Sequence, residues 1–285
     1  MPLDPGIATA APQSDVADAW DADRVLLYHI GLGAGARPTD AAELAYVNER
    51  YLKVLPTFSV IPGFEAVRPA MQGPGLDYKI SRMLHGEQDL VVHNPLPPQA
   101  SVITTPAVEA VYDKGKAGLL VLRGDTRTED GTPLCTNRFR LFIRGEGGFG
   151  GDGGPAPEPW EVGGEPALRV EVPTLPQQAA IYRLSGDRNP LHIDPAFAAR
   201  AGFDRPILHG LCTYGIAGRA ALKLLCDDDP TRLRRFDGRF SSPVYPGDSL
   251  RIEVWREGRG RAALRVLAPE RGVTVLQNGL VEFKD

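Results

Sequence analysis

The sequence contains few cysteines, little net charge and no uninterrupted apolar run long enough to cross a bilayer. A net charge of -4 at pH 7 gives no broad basic field for binding nucleic acid. The longest apolar segment, residues 208–226, is interrupted by Arg219 and Lys223, so we expect no membrane span. No Cys-x-x-Cys pair occurs among the three cysteines, Cys135, Cys212 and Cys226. Reduced thiols and a cytoplasmic location are therefore favoured over a disulfide framework.

The chain has 285 residues, of which 42% are apolar, enough to bury a core in one large or two modest domains. Residues 145–159 are too rich in glycine and proline for a helix or strand, and they are predicted to link two units. The N-terminal unit then covers residues 24–144, and the C-terminal unit covers residues 160–285. Residues 1–23, rich in alanine, proline and aspartate, are predicted to form a flexible tail.

Both units repeat one layout, in which a proline-containing turn precedes three strand-like runs. The runs are rich in Val, Ile, Leu and aromatic residues and end at glycines or charged turns, as antiparallel strands do. They are residues 101–112, 118–126 and 135–143 in the N-terminal unit, and residues 250–255, 262–267 and 273–283 in the C-terminal unit. The pattern predicts an antiparallel meander in each unit.

A long helix is predicted only in the C-terminal unit. Residues 208–226 are apolar on nearly every face, as in a helix that is buried all round. In the N-terminal unit, residues 71–85 are interrupted by Gly73, Pro74 and Gly75, which leaves no equally long helix. We therefore predict an α+β fold in which antiparallel sheets wrap helices, with more interior room in the N-terminal unit.

A tight turn in the C-terminal unit carries an acid and an imidazole. A helix-like run ends at Gly186, and Pro190 forces the following residues out of the α conformation. Asp187 and His192 therefore flank the turn, where they can share a water molecule, one accepting a proton while the other donates one. An isolated pair of this kind is more typical of a capped turn with a structural histidine. The motifs around the pair favour catalysis.

The predicted long helix begins near His209 or Gly210. Its first backbone N–H groups lack partners within the helix and lie at the positive end of the helix dipole, which suits a developing oxyanion. Glycine at position 210 lacks the Cβ that would keep a carbonyl oxygen away from the amide. For His209 we predict a structural role at the helix start, where its side chain bonds nearby backbone.

These motifs resemble those of the MaoC-like, R-specific enoyl-CoA hydratases, also called hydratase 2, in their two-hotdog form, over most of the chain. The C-terminal motifs are residues 182–195 with a Gly-Asp-x-Asn-Pro-Leu-His core, residues 206–210, residues 239–240 and residues 243–247. The N-terminal motifs are Tyr28 with residues 31–34, residues 55–58 and residues 84–88. The resemblance implies a double hotdog: two antiparallel sheets, each wrapping a helix, with the long central helix mainly in the C-terminal unit.

The resemblance also implies roles for individual residues. Asp187 and His192 are the catalytic pair that holds the water, and Asn189 braces the turn between them. Gly210 donates its N–H to the thioester oxygen. Five further positions match residues that contact the acyl-CoA or lie near the active site in relatives: His85, Gly86, Lys114, Phe240 and Glu49. Taken without the resemblance, Lys114 is more typical of a solvated turn.

The implied reaction is hydration of trans-2-enoyl-CoA to (R)-3-hydroxyacyl-CoA, with the reverse dehydration, in fatty-acid metabolism such as β-oxidation. Such a hydro-lyase needs no metal and no redox cofactor. The N-terminal unit has no Asp-x-Asn-Pro-x-His motif, so we expect one active site per chain. That unit is expected to accommodate medium, long or bulky acyl groups. A homodimer is expected from the family and from unpaired sheet edges.

Other functions use the same fold or the same residues. A dehydratase acting on a 3-hydroxyacyl carrier protein needs the same side chains, and the sequence does not set the direction of the reaction. A thioesterase fits less well, because the turn presents water to an alkene better than to a carbonyl. A non-catalytic acyl-CoA-binding protein is disfavoured because Asp187 and His192 are both retained.

Two cofactor classes are also disfavoured. Residues 31–36 superficially fit a dinucleotide fingerprint, but residues 37–40 intervene before any helix, and no parallel strand and helix alternation follows. The five histidines include no i, i+4 pair and the cysteines are scattered, so the spacing predicts no metal site.

Overall fold

The computed structural model describes residues 3–156 and 162–285. Within these residues the strands are β1 (Val16–Trp20), β2 (Met83–Val92), β3 (Ala100–Asp113), β4 (Ala117–Thr128), β5 (Pro133–Arg144), β6 (Leu168–Pro173), β7 (Leu233–Phe240), β8 (Ser249–Arg256), β9 (Arg261–Ala268) and β10 (Val273–Phe283). The α-helices are α1 (Pro5–Ala10), α2 (Ala22–Gly31), α3 (Ala41–Leu44), α4 (Val60–Val67), α5 (Gln178–Tyr182), α6 (Pro195–Arg200) and α7 (Gly210–Leu225). Short 3-10 helices are Glu49–Tyr51, Pro56–Ser59, Arg68–Gln72, Ile80–Arg82, Arg183–Ser185, Pro190–His192, Pro230–Arg232 and Pro269–Arg271.

All ten described strands form one antiparallel sheet, in the order β1-β3-β4-β5-β2-β7-β10-β9-β8-β6. The first five strands of that order precede residue 145 in the chain, and the last five follow it. Strands β2 and β7 join the two halves, with Asp89 opposite Asp237. The α+β prediction is confirmed, but the two predicted sheets are one continuous sheet, because edge strands β2 and β7 pair with each other.

The six predicted strand-like runs all lie in strands, three in β3, β4 and β5 and three in β8, β9 and β10. The runs did not include β2 or β7, the strands that join the halves. Both contain polar and charged residues where an apolar pattern would be expected, and these side chains pair across the sheet. Arg235 Nε, for example, donates to Asp89 Oδ1 at 2.8 Å. Ion pairs between neighbouring strands therefore stabilise β2 and β7, whose sequences lack a clear apolar strand pattern.

The prediction of a flexible tail at residues 1–23 is wrong for the residues described. Helix α1 is capped by Asp4, whose side chain accepts a hydrogen bond from Ile7 N at 3.0 Å. Strand β1 pairs with β3 at one edge of the sheet. Leu3 is fully buried, and Trp20 Nε1 donates to Pro97 O at 2.9 Å. These two apolar anchors hold the segment, although its composition resembles that of a tail.

Helix α7 confirms the predicted long buried helix and its start at Gly210, and it packs against strands of both halves. The ring of Tyr214 stacks on Phe236 with centroids 4.4 Å apart. A Cβ built at Gly215 would lie 2.7 Å from Tyr28 Oη, so only glycine lets α2 approach α7 this closely. In the N-terminal half, α4 packs against β3, β4 and β5 but has only eight residues, as predicted for the half without a long helix.

The described part of the predicted linker, residues 145–156, contains no helix or strand. Asp113, the last residue of β3, accepts hydrogen bonds from two glycines of this segment, from Gly148 N at 2.8 Å and from Gly150 N at 2.7 Å. Residues 157–159 of that prediction lie outside the described residues. No helix among the residues described has the length and apolar character needed to cross a bilayer.

Candidate active site

The turn between α5 and α6 is fixed by its own backbone and by Asn189. Gly186 ends the preceding helix with φ +140, a conformation that L side chains rarely adopt. Asn189 N donates to Asp187 Oδ1 at 3.0 Å, and Asn189 Oδ1 accepts from Leu191 N at 3.0 Å. Both bonds are local, so the sequence of the turn itself sets the direction of the Asp187 carboxylate.

The structure brings the Asp187 and His192 side chains together. His192 Nε2 lies 3.9 Å from Asp187 Oδ2, too far for a direct hydrogen bond and close enough for one water to bridge. His192 Nδ1 is 2.9 Å from Ile207 O. Because a carbonyl oxygen only accepts, Nδ1 carries the proton, and the Nε2 lone pair faces the carboxylate. The Asp187 side chain is 30% exposed and the His192 side chain 9%, so the pair is reached from the Asp187 side.

Burial lowers the pKa of His192, although the Asp187 charge and the bond to Ile207 oppose that shift. The imidazole is therefore neutral at pH 7, with Nε2 free to accept a proton. A neutral imidazole facing an acid across one water's width is suited to general acid and base chemistry.

Gly210 stands beside this pair as the first residue of α7, after the cap residue His209. The N–H groups at a helix start lack intrahelical partners and carry the positive end of the helix dipole. A Cβ built at Gly210 would lie 3.4 Å from the ring of Phe240. An aromatic ring and an amide at a helix start therefore border the same space, as a thioester-binding site requires.

His85 and Gly86 of β2 lie on the other side of Phe240. The His85 and Phe240 rings meet edge to face with centroids 5.2 Å apart. Burial lowers the pKa of His85 to about 4, against a bond to Glu87 O and the Asp187 charge. A β-bulge lies at Gly86, where a Cβ would come within 2.4 Å of the Phe142 ring. His85, Phe240 and Gly210 therefore line one edge of the site.

Lys114 lies in the turn between β3 and β4, with Nζ 5.8 Å from the centroid of the Tyr112 ring. Strands β4 and β5 separate β3 from β2, which places this turn about 14 Å across the sheet from His85. The structure does not bring Lys114 into contact with the acid and imidazole pair. Its role in holding a distal part of the substrate stays a prediction.

Glu49 is exposed in a 3-10 helix. Residues on either side of that helix contact the chain just after the C-terminal end of α7. Asp228 O accepts hydrogen bonds from Tyr46 Oη at 3.3 Å and from Lys53 Nζ at 2.8 Å. Helix α7 spans 16 residues, or about 24 Å. The segment that carries Glu49 thus packs near the C-terminal end of α7, away from the helix start at Gly210, and a place for Glu49 near the active site stays a prediction.

His209 belongs to the site more closely than its sequence position suggested. Its ring stacks on His192 with centroids 3.7 Å apart and an interplanar angle of 28°. A donor atom from each of Asp187, His192 and His209 lies within 4.8 Å of the others, a cluster that histidine spacing alone did not indicate. The two rings stack almost face to face, so their in-plane lone pairs do not converge on one point, which makes the trio a poor metal cage.

A cavity of about 390 Å³ lies away from the turn, between residues 33–46, strand β6 and the middle of α7. Its lining includes Tyr46, Val172, Ile216 and the buried ion pair of Arg219 with Glu43. The acid and imidazole pair and Gly210 are not among the residues that line it. Every described strand pair is antiparallel, which excludes a Rossmann arrangement around residues 31–36.

Comparison with known proteins adds to this geometry. Residues 19–145 match the family described as MFE-2 hydratase 2 N-terminal domain, and residues 159–277 match the MaoC like domain. The enoyl-CoA hydratase ChsH3 of Mycobacterium tuberculosis is 43% identical over 98% of both chains. The peroxisomal enoyl-CoA hydratase 2 of Arabidopsis thaliana is 40% identical, over 91% of this chain and 89% of that protein.

The solved structures agree with the sequence relatives. A MaoC-like dehydratase from Phytophthora capsici superposes with a TM-score of 0.89 and 29% identity, covering 99% of this chain and 98% of that one. The double hotdog prediction is thereby confirmed. On the strength of both comparisons, the chain belongs to the MaoC-like enoyl-CoA hydratase 2 family.

Proposed function

We propose that this chain hydrates trans-2-enoyl-CoA to (R)-3-hydroxyacyl-CoA and catalyses the reverse dehydration. One observation carries the proposal: His192 Nε2 faces Asp187 Oδ2 across 3.9 Å, beside the helix-start amide of Gly210. A water, an unprotonated imidazole nitrogen and an amide donor are the three groups that addition to an α,β-unsaturated thioester requires. The names of the relatives support the same substrate class.

In the proposed reaction, the water held by Asp187 and His192 attacks C3 of the acyl group. The C3–O bond forms as the water loses a proton to the pair, and the π electrons move through C2 to the thioester oxygen. The same pair then returns a proton to C2, so water adds to one face of the double bond. No metal, redox cofactor or other co-reactant takes part in this scheme.

Gly210 N–H accounts for the stabilisation of the charge that builds on the thioester oxygen. This amide interacts more strongly with an enolate oxygen than with the ground-state carbonyl, so it lowers the barrier rather than only binding the substrate. Loss of one such donor raises a barrier by roughly 3 kcal/mol.

The stereochemical part of the proposal follows from the one-sided placement of the water. Asp187 and His192 lie on one turn, so they present water to a single face of an acyl group whose thioester oxygen is fixed at Gly210. Asn189 holds that turn through its two local bonds. The resemblance to the R-specific enoyl-CoA hydratases supports R as the resulting configuration.

We also propose how the two halves share the substrate. The C-terminal half supplies the reacting groups, and the N-terminal half, with His85 and Gly86 beside Phe240, holds the thioester and accommodates the acyl chain. Lys114 is proposed to contact a distal group of CoA. A homodimer and a cytoplasmic location complete the proposal.

The test uses purified protein and trans-2-enoyl-CoA substrates of short, medium and long chain. Hydration removes the ultraviolet absorbance of the conjugated thioester, and chiral chromatography of the hydrolysed product gives the configuration. We expect the R product and higher kcat/KM for medium or long chains than for crotonyl-CoA. An S product contradicts the stereochemical proposal, and a strict preference for crotonyl-CoA contradicts the acyl-length proposal.

A matched assay with crotonyl-CoA and the same acyl group on a carrier protein tests the alternative dehydratase function. A higher kcat/KM for the carrier-bound substrate favours that alternative over the CoA substrate. Tight acyl-CoA binding without turnover of either substrate indicates instead a non-catalytic binding protein.

A further inference from the structure

We propose that His209 is a positioning residue, whose ring holds the Asp187 main chain and the His192 imidazole at a separation that one water can bridge. This inference rests on the proposed hydration and concerns the same site. Sequence reasoning gave His209 only a structural place at the start of α7. The structure instead connects it to all three groups that the reaction uses.

The first connection is to Asp187. His209 Nε2 lies 3.2 Å from Asp187 O, and because a carbonyl oxygen only accepts, Nε2 carries the proton and donates it. His209 Nδ1 is then an unprotonated acceptor, and this buried atom has no hydrogen-bond partner among the described residues. The bond fixes the main chain of Asp187, while Asn189 N fixes its carboxylate. The carboxyl group is thus held from two directions.

The second connection is to His192. The two imidazoles stack with centroids 3.7 Å apart, while His192 Nδ1 donates to Ile207 O at 2.9 Å. A ring that is bonded at one nitrogen and covered on one face has little freedom to rotate Nε2 away from Asp187. On its other flank, the His209 ring contacts Tyr182, with centroids 5.0 Å apart. His209 is 1% exposed, so packing holds it in one position.

The third connection is to Gly210, the next residue. His209 is the cap of α7, with φ -58 and ψ 135, and its carbonyl oxygen accepts from Cys212 N at 3.1 Å and Thr213 N at 3.2 Å. The main chain of His209 therefore sets the direction of the Gly210 amide, while its side chain holds the water-binding pair. One residue relates the two parts of the site to each other.

The charge state of His209 suits this role. Burial lowers its pKa to about 2, and the neighbouring His192 and Arg183 add to the shift, against the bond to Asp187 O. The groups that face the ring are Tyr182, Asp187, His192 and the more distant Arg183. Because His209 stays neutral, proton exchange is confined to His192, and no second cation forms against it.

The first test needs no substitution. Nitrogen-15 NMR of the wild-type protein distinguishes the two neutral imidazole tautomers, and we expect the Nε2–H form for His209 and the Nδ1–H form for His192. We also expect His209 not to titrate between pH 5 and 8. An Nδ1–H tautomer at His209, or protonation of His209 near its ordinary pKa of about 6.5, would overturn the proposal. This readout does not depend on any activity.

The second test separates the hydrogen bond from the stacked ring. His209→Phe keeps an aromatic ring and loses the donor, so we expect kcat to fall about 10- to 100-fold with KM changed little, since a misplaced reacting group lowers turnover. His209→Asn keeps a short donor and loses the ring. In that variant water reaches His192, and the acid limb of kcat/KM should move up toward pH 6.5.

His93→Phe is the matched control, because His93 is exposed and the hydrogen bond found for its side chain among the described residues is to Thr136 Oγ1. It should retain wild-type kcat. Wild-type kcat and an unshifted acid limb in both His209 variants would refute the positioning role. Absence of hydration by the wild-type protein would refute the proposed function alone, because the tautomer measurement still reports on the contacts of His209.

Discussion

The two halves of the sheet follow one plan but differ in the helix that each packs and in the roles that we propose for them. Each half contributes five strands, but the C-terminal half wraps α7 over 16 residues whereas the N-terminal half packs the eight-residue α4. The turn with Asp187 and His192 occurs only in the C-terminal half. In the proposed reaction the long helix matters because its first turn supplies the amide at Gly210. A half without such a helix start can bind and shape a substrate, but it lacks an oxyanion donor of this kind.

The largest effect that would confirm this division comes from the acid and imidazole pair. We expect His192→Ala and Asp187→Asn each to lower kcat at least about 1,000-fold, because either change leaves the water without one of its two proton-exchange partners. Steady-state hydration of an enoyl-CoA measures this loss. Circular dichroism should show an unchanged fold, because Asp187 is 30% exposed and His192, although only 9% exposed, lies in a short turn outside the strands and the long helix.

Asp194→Asn is the control for that experiment, a matched substitution seven residues along the chain. Asp194 caps α6 by accepting from Ala196 N at 2.8 Å, and asparagine is an equally good cap. We expect near wild-type kcat from this variant. Full activity in Asp187→Asn or His192→Ala would instead remove the catalytic role from the C-terminal half.

The next largest expected effect is the loss of kcat when the Gly210 amide hydrogen at the start of α7 is removed. Gly210→Pro removes the amide hydrogen while keeping α7, because proline is well tolerated at the first helical position. The preceding His209 has φ -58 and ψ 135, a conformation that proline allows in its neighbour. We expect kcat to fall about 100-fold, equivalent to the roughly 3 kcal/mol that one oxyanion donor contributes.

Gly210→Ala serves as the comparison for the proline variant, because it keeps the amide hydrogen. Its added Cβ would lie 3.4 Å from the Phe240 ring, an ordinary contact that the fold accommodates. The measurement is kcat for both variants at saturating substrate. Equal losses in the two would show that bulk at this position, rather than the missing donor, limits the rate.

Much of the C-terminal half could be predicted from the sequence, because its signals are local. Gly186 and Pro190 mark the turn, and a glycine at a helix start marks the amide, so these features follow from neighbouring residues alone. The stacking of His209 on His192 could not be predicted, because it depends on the packing of the start of α7 against a turn that lies 17 residues earlier in the chain. A histidine directly before a helix-start glycine was the only signal for it.

The N-terminal half was harder to predict, because its structure depends on contacts between residues distant in the sequence. Strand β2 has charged residues in its middle, and its stability depends on partners in β5 and β7 rather than on its own apolar pattern. The segment before α2 looks like a tail by composition, and Leu3 and Trp20 hold it through contacts distant in sequence. The packing of the Glu49 segment near the C-terminal end of α7 could not be predicted either, because position in a motif does not report which end of a helix a loop contacts.

A smaller expected effect is the fall of kcat/KM in acid, which reports the protonation of His192. Burial lowers the pKa of His192 below its ordinary value and that of His85 to about 4, so both are neutral in the folded protein at pH 7. We expect kcat/KM to be constant from pH 8 to about 6.5 and to fall below that range as His192 takes up a proton. A pH-rate profile measures this limb.

The stability of the fold should also fall in acid. The unfolded chain protonates its histidines near pH 6.5, whereas the folded protein keeps His85 and His209 neutral to about pH 4 and about pH 2. The free energy of unfolding therefore falls as pH falls from about 6.5 toward 4. Denaturant titrations at each pH separate this effect from the loss of activity. A stability that rises on acidification would contradict the burial of neutral imidazoles.

The smallest expected effect is on stability and concerns the seam, the pairing of strands β2 and β7 that joins the two halves. Asp237 lies opposite Asp89 across β2 and β7, and burial together with the Asp89 charge raises the pKa of Asp237 to about 7. The folded protein thus keeps a proton that the unfolded chain releases near pH 4. This carboxyl contributes stability at low pH that is lost as pH rises through about 7.

Asp237→Asn should therefore stabilise the protein relative to wild type by about 1 kcal/mol more at pH 8 than at pH 5, a figure reduced for the partial exposure of the side chain. Asp125→Asn is the control within the N-terminal half. Burial raises the pKa of Asp125, but hydrogen bonds from Arg123 and Thr136 outweigh it and lower the pKa. Asp125 is therefore ionised above pH 5 in both the folded and the unfolded protein. The difference in free energy of unfolding between Asp125→Asn and wild type should then be the same at pH 5 and pH 8. A pH-independent effect of Asp237→Asn would show that the charge pair across the seam does not couple the stability of the joined sheet to pH.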